Sequence, residues 1–401
     1  MKHIFILLLC SLPFNYAQSQ TDTLPIPSGK YFVGVTYLNF IDANRIELFD
    51  NNQESKREIT VKAWYPSDTE SNHEPYFLKA EADFALKYLQ FPQIYKDLIT
   101  NSSRDVPLSS RENKYPILIF SHGFGEHYSQ NSILMEELAS HGYIIFSISH
   151  HYECKFSSYP DGRLIYIDIN SLRLQKIMQE MSNPKAMELY QKMFSASNDE
   201  ERMQVFVETS KIIPTGLIES PKNWAEDISF FMDQLENMNK EDKTFKDKLN
   251  LDRIGVFGMS MGGIASGEIS LSDKRIKACV NIDGGIYGAA LEKEIQIPTM
   301  FLNSKRFLGY GNIFTSKSKT DCYSLSVKES DHYNLTDYSL YPIPAVEFLL
   351  GSIDGGKTIE IMNVFVLSFF DKYLMERQDM DLIKQAKIYP GIEITTNVQL
   401  K

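Results

Sequence analysis

Two segments near the start of the chain alternate apolar and polar residues. They run from Tyr31 to Ile41 and from Arg57 to Tyr65, and Val and Thr are frequent in both. A period of two is typical of strands that bury one face. The polar stretch 51–55 between them has the composition of a solvated turn, so the two strands are predicted to begin the sheet as an antiparallel pair.

Farther along, the pattern changes to short, continuous apolar runs separated by helical periodicity. Runs that are apolar on both faces are typical of parallel strands covered by helices. The predicted strands are 115–120, 143–148, 253–257, 276–282, 299–302 and 323–327, and the predicted helices lie around 81–89, 133–138, 228–235 and 362–373, the last with Thr358 as its N-cap. The predicted fold class is therefore α/β, with a mostly parallel central sheet, antiparallel N-terminal strands and helices on both faces.

The segment 152–223 interrupts this alternation between two predicted core strands. It is rich in Met, Gln, Glu and Lys and carries helical pieces such as 174–181. We interpret it as a helical insertion, which either caps the sheet edge where ligands bind or decorates the surface. Its Phe and Leu side chains are expected either to form an interfacial patch for lipid or to belong to the core.

The first residues have the pattern of a secretory signal peptide. Lys2 and His3 precede the apolar run 4–9, and Ala17 offers a small residue for cleavage. An uncleaved anchor is the alternative, but the run is shorter than the ~20 apolar residues of a spanning helix and Pro13 interrupts it. We therefore expect a signal peptide at 1–17, a single domain over 18–401, and a secreted or periplasmic protein.

Composition narrows the function classes. With 43% hydrophobic and 12% aromatic residues among 401, the chain is expected to bury a large core. Its 41 Lys and Arg against 52 Asp and Glu give a net charge of −11, which argues against a nucleic-acid partner. Beyond residue 17 three cysteines remain (Cys154, Cys279 and Cys322), and this odd count leaves at least one free thiol or an intermolecular bridge, so no disulfide framework is expected. The metal-binding spacings Cys-x-x-Cys and His-Glu-x-x-His do not occur, and neither a metal nor a cofactor is expected.

The clearest chemical motif is Gly258-Met259-Ser260-Met261-Gly262. It follows a predicted strand and opens a helix of small residues, which is the context of a nucleophile elbow. Glycine on either side relieves backbone crowding, and the helix N-terminus favours developing negative charge. Ser260 is therefore the predicted nucleophile; the alternative is a Gly-rich turn in which the serine is incidental.

A serine nucleophile needs a base and an acid, which follow it in the order acid then histidine in such a fold. His332 is the only histidine after Ser260 and lies beyond the strand 323–327. Asp283 ends the strand after the elbow, and the following strand ends without a carboxylate. Asp331 adjoins His332 but is poorly placed to reach its ring. We predict His332 as base and Asp283 as acid; the alternative for Asp283 is a turn-forming residue before glycine.

Backbone N–H groups must also face the developing oxyanion during acyl transfer. Residues 120–125, Phe-Ser-His-Gly-Phe-Gly, follow the first core strand and form the expected loop. The predicted donors are Phe124 from this loop and Met261 after the nucleophile. His122 is interpreted as a structural residue of the loop.

With these residues in place, the chain resembles the α/β-hydrolase superfamily, and more narrowly the plasma-type (type II) platelet-activating factor acetylhydrolases. The similar segments are Ile119–Gly125, Leu138–Ile144, the elbow, Asp283 at its spacing beyond the serine, Phe301–Ser304 and Cys322–Ser324. The resemblance maps the family's catalytic triad to Ser260, Asp283 and His332, and its oxyanion donors to Phe124 and Met261.

The resemblance implies a calcium-independent carboxylester hydrolase, in a family that acts on short or oxidised sn-2 acyl chains of phospholipids. The chain departs from the family at Met259 and Met261, where His and Phe are common, and at Gly284-Gly285, where a Trp-containing segment is usual. These positions touch the acyl pocket and the lipid-facing surface. The expected partner is a small-molecule or lipid ester, with peripheral contact at a lipid interface.

Three functions fit this reading, and the leading one is a secreted serine esterase or lipase that works through an acyl-enzyme. The second is an amidase or peptidase on the same scaffold. The third is a catalytically silent protein that holds lipid in an apolar cleft.

Overall fold

The structure is a computed structural model that describes residues 22–50, 54–285, 293–307 and 311–399. The predicted signal peptide at 1–17 and residues 51–53 of the predicted turn lie outside these ranges. The strands are β1 Phe32–Ile46, β2 Lys56–Ser67, β3 His73–Pro75, β4 Ile99–Arg104, β5 Tyr115–Ser121, β6 Ile144–His150, β7 Phe156–Ser158, β8 Leu164–Tyr166, β9 Leu249–Met259, β10 Ile276–Ile282, β11 Thr299–Ser304, β12 Cys322–Val327 and β13 Ile392–Thr396.

The helices fall between and after these strands. They are α1 Lys79–Tyr88, α2 Ile94–Asp97, α3 Ser132–Ser140, α4 Leu172–Met181, α5 Pro184–Ser195, α6 Asp199–Ile212, α7 Ser220–Glu241, α8 Met261–Ser270, α9 Asn312–Thr315, α10 Gly355–Leu374 and α11 Leu382–Ala386. Among the helices described, none is both long and apolar enough to cross a membrane.

Within the described ranges, eleven strands form one sheet in the order β13-β12-β11-β10-β9-β5-β6-β2-β1-β4-β3. The six strands from β12 to β6 pair in parallel. At one side β2 pairs antiparallel with β6 and with β1, as the alternating N-terminal pattern predicts. The predicted fold class is confirmed: this is a mostly parallel sheet with an antiparallel beginning.

The sheet is covered on both faces because its central strands are apolar at every position. In β5, Leu118 and Phe120 pack into the core that α3 and α10 cover, whereas Ile117 and Ile119 pack into the core that α7 and α8 cover. Successive side chains of a strand point to opposite faces, so a continuous apolar run must be buried twice. For this reason the parallel strands appear in the sequence as continuous apolar runs and not as alternating apolar and polar residues.

The segment 152–223 forms the β7–β8 hairpin, helices α4 to α6 and a π-helical turn over Thr215–Glu219. Polar side chains start its helices: Ser171, Asn183 and Asn198 each accept a hydrogen bond from a first-turn N–H. Leu189 and Phe206 of this segment are buried. Some of its Phe and Leu side chains therefore belong to the core, which was one of the two expectations for them.

One local expectation, the N-cap of α10, differs from the structure, and some strands were not predicted. The N-cap of α10 is Asp354, whose carboxylate accepts from the N–H of Lys357 at 2.9 Å, so the prediction of Thr358 was wrong. Thr358 lies inside the first turn because the two glycines before it adopt helical conformation. Strands β4 and β13 were not predicted: β4 is largely polar and lies between β1, with which it pairs in parallel, and β3, whereas β13 forms an antiparallel edge beside β12.

Cys154, Cys279 and Cys322 carry free, buried thiols. Burial raises the pKa of the Cys154 thiol to about 11. Stability in this fold therefore rests on packing and on buried polar interactions.

A buried polar chain runs from β2 through α7 and β6 to the end of β5. Arg57 contacts Asp227 at 2.5 Å and Glu47 at 2.8 Å. Asp227 also accepts from His150 Nδ1 at 2.8 Å, and the Nε2 of His150 lies 3.0 Å from the Ser121 hydroxyl. Burial disfavours ionisation of Asp227, but Arg57 and His150 outweigh it and hold the pKa of this carboxyl well below its usual range.

Burial also lowers the pKa of His150 to about 4, despite the opposing pull of Asp227, and lowers the pKa of His122 to about 3. Both rings are therefore neutral in the folded protein near neutral pH. In the unfolded chain a histidine has a pKa of about 6.5. Below that pH these two histidines bind protons in the unfolded state but not in the folded state. The free energy of unfolding therefore falls as the pH falls.

We predict that the free energy of unfolding decreases as the pH is lowered from about 7 to about 4, by up to about 1.4 kcal/mol per pH unit for each such histidine. Urea denaturation at several pH values measures this slope. The His150→Gln variant, which cannot titrate there, should show a shallower slope than the unsubstituted protein. An identical slope in both proteins would contradict the attribution of the pH dependence to His150.

Candidate active site

The turn at Ser260 joins β9 directly to α8. Ser260 has φ +54° and ψ −120°, a conformation that a non-glycine residue adopts only when its surroundings impose it. A Cβ at Gly258 would lie 2.3 Å from the Gly262 carbonyl carbon, and a Cβ at Gly262 would lie 2.0 Å from the Ser121 carbonyl oxygen. Both glycines are thus required by backbone contact, and the turn has the geometry expected of a nucleophile elbow.

Two of the three predicted triad residues are joined directly. His332 Nδ1 lies 2.6 Å from Asp283 Oδ2, at the end of the strand that neighbours the elbow. Asp283 is buried with φ +51° and also accepts hydrogen bonds from Ser304, at 2.6 Å from the N–H and 2.8 Å from the hydroxyl. These bonds orient a carboxylate that has lost contact with water.

The neighbouring Asp331 is engaged elsewhere. Its carboxylate accepts from the guanidinium of Arg306 at 2.6 and 2.9 Å and from the backbone N–H of His332 at 2.7 Å. It caps the short 3₁₀ turn His332–Leu335 rather than meeting the imidazole ring.

The loop after β5 lies close to the elbow. A Cβ on Gly123 would come within 3.4 Å of the Cβ of Ser260. The N–H of Gly123 donates to Gln130 Oε1 at 2.9 Å. No acceptor among the described residues engages the N–H of Phe124 or of Met261. These are the two groups that the sequence predicts as oxyanion donors.

His122 has a structural place in this loop. Its Nε2 accepts from the N–H of His150 at 3.1 Å, so the ring proton is on Nδ1, which donates to the Gly123 carbonyl at 2.7 Å. Both nitrogens are occupied, and burial keeps the ring neutral. Across the described ranges, no cluster of three or more His, Cys, Asp or Glu side chains is arranged to hold a metal ion.

Ser260 and Asp283 open onto one cavity of about 230 Å³, which Phe124 and Met261 also border. The rest of its wall is apolar and comes mainly from the segment 152–223. The wall residues are Ile177, Met181, Tyr190, Met193, Phe206, Ile213, Gly216, Leu217, Ile264, Gly284 and Gly285. The structure therefore brings four of the five predicted site residues to one cavity and hydrogen-bonds the fifth, His332, to one of them.

A buried polar cluster that the sequence argument missed links the loop after β5 to the loop of His332. The carboxylate of Glu126 accepts from the hydroxyls of Tyr333 at 3.0 Å and Tyr338 at 2.8 Å, and it pairs with Lys155 at 3.0 Å. Ser304 was missed in the same way. Its signals in the sequence are its place at the carboxyl end of the strand beside Asp283 and its position in the family-like segment Phe301–Ser304.

The sequence matches one known family over most of its length. The family model described as platelet-activating factor acetylhydrolase, isoform II, matches residues 16–387. The platelet-activating factor acetylhydrolase of Canis lupus familiaris is 26% identical over 94% of this chain and 84% of its own length. That of Bos taurus is also 26% identical, over 96% of this chain and 86% of its own length.

Among solved structures, the ferulic acid esterase from Streptomyces cinnamoneus superimposes with a TM-score of 0.69. The match covers 93% of this chain and 99% of that one at 20% identity, and so it supports the shared α/β-hydrolase fold. With the family model spanning most of the sequence, the chain belongs to the platelet-activating factor acetylhydrolase isoform II family and is a carboxylester hydrolase.

Proposed function

We propose that this protein is an exported serine carboxylester hydrolase that works through an acyl-enzyme on Ser260. The observation that carries the proposal is the 2.6 Å contact between His332 and Asp283 at the cavity that Ser260 lines. A neutral serine hydroxyl is a poor nucleophile until an adjacent base takes its proton. The pair supplies that base with its orienting carboxylate.

In the first half-reaction the Ser260 hydroxyl oxygen attacks the ester carbonyl carbon while His332 Nε2 accepts the hydroxyl proton. The carbonyl oxygen becomes an oxyanion and accepts hydrogen bonds from the N–H groups of Phe124 and Met261. The tetrahedral intermediate then breaks its bond to the alcohol oxygen, which receives the proton from His332. In the second half-reaction water repeats these steps and releases the carboxylic acid.

Asp283 acts by fixing the histidine tautomer. Accepting from Nδ1–H leaves Nε2 with its lone pair toward the serine, and the negative charge stabilises the imidazolium that forms. Ser304 holds both carboxylate oxygens of Asp283 and so fixes its direction.

Two features suggest a lipid ester as substrate and the segment 152–223 as a cap. The cavity wall is apolar, and this segment supplies most of it. The same segment exposes large apolar side chains to solvent, among them Ile169 at 73% and Leu172 at 74%. Exposed apolar side chains beside an apolar site suit contact with a lipid surface. Export rests on the signal-peptide pattern of residues 1–17.

Replacing Ser260 by Ala should abolish ester hydrolysis, by about 10⁴-fold or more, because no second hydroxyl can form the acyl-enzyme. The measurement is turnover of p-nitrophenyl acetate by the protein without residues 1–17. Ser266→Ala is the matched control: the Ser266 hydroxyl lies on the same helix and has no hydrogen-bond partner in the described part of the chain. Equal activity in the Ser260→Ala variant and the control would refute the proposal.

Asp283→Asn should lower kcat by about 10³–10⁴-fold, because an amide donates to the ring or leaves it in the wrong tautomer. Asn tolerates the positive φ of this position, so the fold is expected to survive. Ser304→Ala removes one of the two bonds from Ser304, and we expect it to cost about tenfold. Steady-state kinetics beside a thermal melt measures both, and Asp283→Asn with full kcat would exclude the assigned acid.

A further inference from the structure

We propose that Glu126 is a positioning residue for ester hydrolysis. Its carboxylate holds the ring of Tyr333 against the imidazole of His332, and its backbone belongs to the turn that presents the N–H of Phe124. The base and one oxyanion donor are thereby fixed relative to each other. The inference rests on the proposed function and adds to it a residue outside the triad.

The carboxylate of Glu126 is the common acceptor of three donors. Oε1 accepts from the Tyr333 hydroxyl at 3.0 Å, and Oε2 accepts from the Tyr338 hydroxyl at 2.8 Å. The ammonium of Lys155 lies 3.0 and 3.1 Å from the two oxygens. A carboxylate can serve all three because it has several acceptor sites and no donor. Glu126 is buried, and hydrogen bonds to a charged acceptor are stronger than neutral ones, so the cluster holds its partners firmly.

Tyr333 transmits this constraint to the base. It follows His332 in the chain, and the two rings meet edge to face, with centroids 5.3 Å apart and planes at 78°. The bond from His332 Nδ1 to Asp283 fixes that atom more tightly than the tilt of the ring, because hydrogen-bond angles at a carboxylate vary widely. The tilt decides where Nε2 points. The Tyr333 ring limits the tilt, and the bond to Glu126 keeps the Tyr333 ring in place.

The backbone of Glu126 transmits the constraint to the oxyanion loop. Its N–H donates to the Gly123 carbonyl at 3.0 Å and closes a four-residue turn, while its carbonyl accepts from the Lys155 N–H at 2.6 Å. Gly125, the third residue of the turn, has φ +69°, which favours glycine there. Phe124 is the second residue. The direction of its N–H is therefore set within the same turn that places the Glu126 carboxylate.

The two tyrosines allow a role in catalysis to be separated from a role in stability. Burial and the neighbouring Glu126 raise the pKa of both phenols, so both hydroxyls keep their protons and donate. Tyr338 is the more deeply buried, and its hydroxyl also lies 3.2 Å from His127 Nε2. Its ring packs on that of Tyr333 at 5.7 Å and is thus one ring farther from the imidazole of His332.

The test measures kcat and KM for p-nitrophenyl acetate together with the melting temperature. Tyr333→Phe keeps a ring beside the imidazole but removes its bond to Glu126. We expect kcat to fall about tenfold with KM changed less than about threefold, since a misplacement of about 1 Å can cost about a hundredfold in rate. Acylation and deacylation both use His332 as base, so the loss appears whichever step limits kcat.

Tyr338→Phe is the matched control, because it removes the other hydroxyl from the same carboxylate. We expect its melting temperature to fall at least as far as that of Tyr333→Phe, while kcat stays within about threefold of the unsubstituted protein. A purely structural cluster would instead make the loss of kcat follow the loss of stability in both variants.

A double-mutant cycle tests whether Glu126 acts through Tyr333. Glu126→Ala and Tyr333→Phe break the same bond, so the double variant should lose no more kcat than Glu126→Ala alone. Losses that multiply would place the two residues on separate paths and overturn the inference. If Glu126→Ala does not fold, the comparison of the two tyrosine variants still decides.

The outcomes distinguish this inference from the proposed function. Full kcat in Tyr333→Phe, a change confined to KM, or equal losses of kcat in the two tyrosine variants would overturn the positioning role and leave the serine mechanism standing. Hydrolysis that persists in Ser260→Ala would instead refute the proposed function.

Discussion

The site depends on the parallel pairing of β9, β10 and β11, which places two constrained turns side by side. Ser260 follows β9 and donates its backbone N–H to Ile282 at 2.8 Å; Asp283 follows β10 and donates its own to Leu302 at 2.9 Å. Both residues have positive φ. Because each turn is bonded to the next strand, serine and carboxylate are held by the sheet rather than by flexible loops.

Beneath this edge, the buried chain from Arg57 through Asp227 and His150 ends on the hydroxyl of Ser121. The carbonyl of Ser121 in turn packs against Gly262 of the elbow. Buried polar groups that lack hydrogen-bond partners destabilise the folded state. In this network, Arg57, Asp227, His150 and Ser121 are joined to one another by hydrogen bonds. It therefore stiffens the start of the loop that carries Phe124 while it joins β2 and α7 to the core.

Local patterns predicted the parts of the fold that local chemistry determines. The continuous apolar runs identified the parallel strands, and the glycines around Ser260 identified the elbow. Features that depend on contacts between distant parts of the chain could not be predicted from local patterns. Strand β4 is polar in sequence and is a strand because it pairs with β1. The role of Glu126 depends on its contacts with Tyr333 and Lys155, which are distant in sequence. The apolar cavity wall likewise exists only after the segment 152–223 has folded over α8.

The most direct test of the account is to trap the intermediate on Ser260. The protein is mixed with excess p-nitrophenyl hexanoate, quenched in acid within milliseconds and digested for mass spectrometry. We expect a burst of one p-nitrophenol per protein molecule and a hexanoyl group on the peptide that contains Ser260. Hydrolysis with no burst and no acylated peptide, or with the acyl group on another residue, would contradict it.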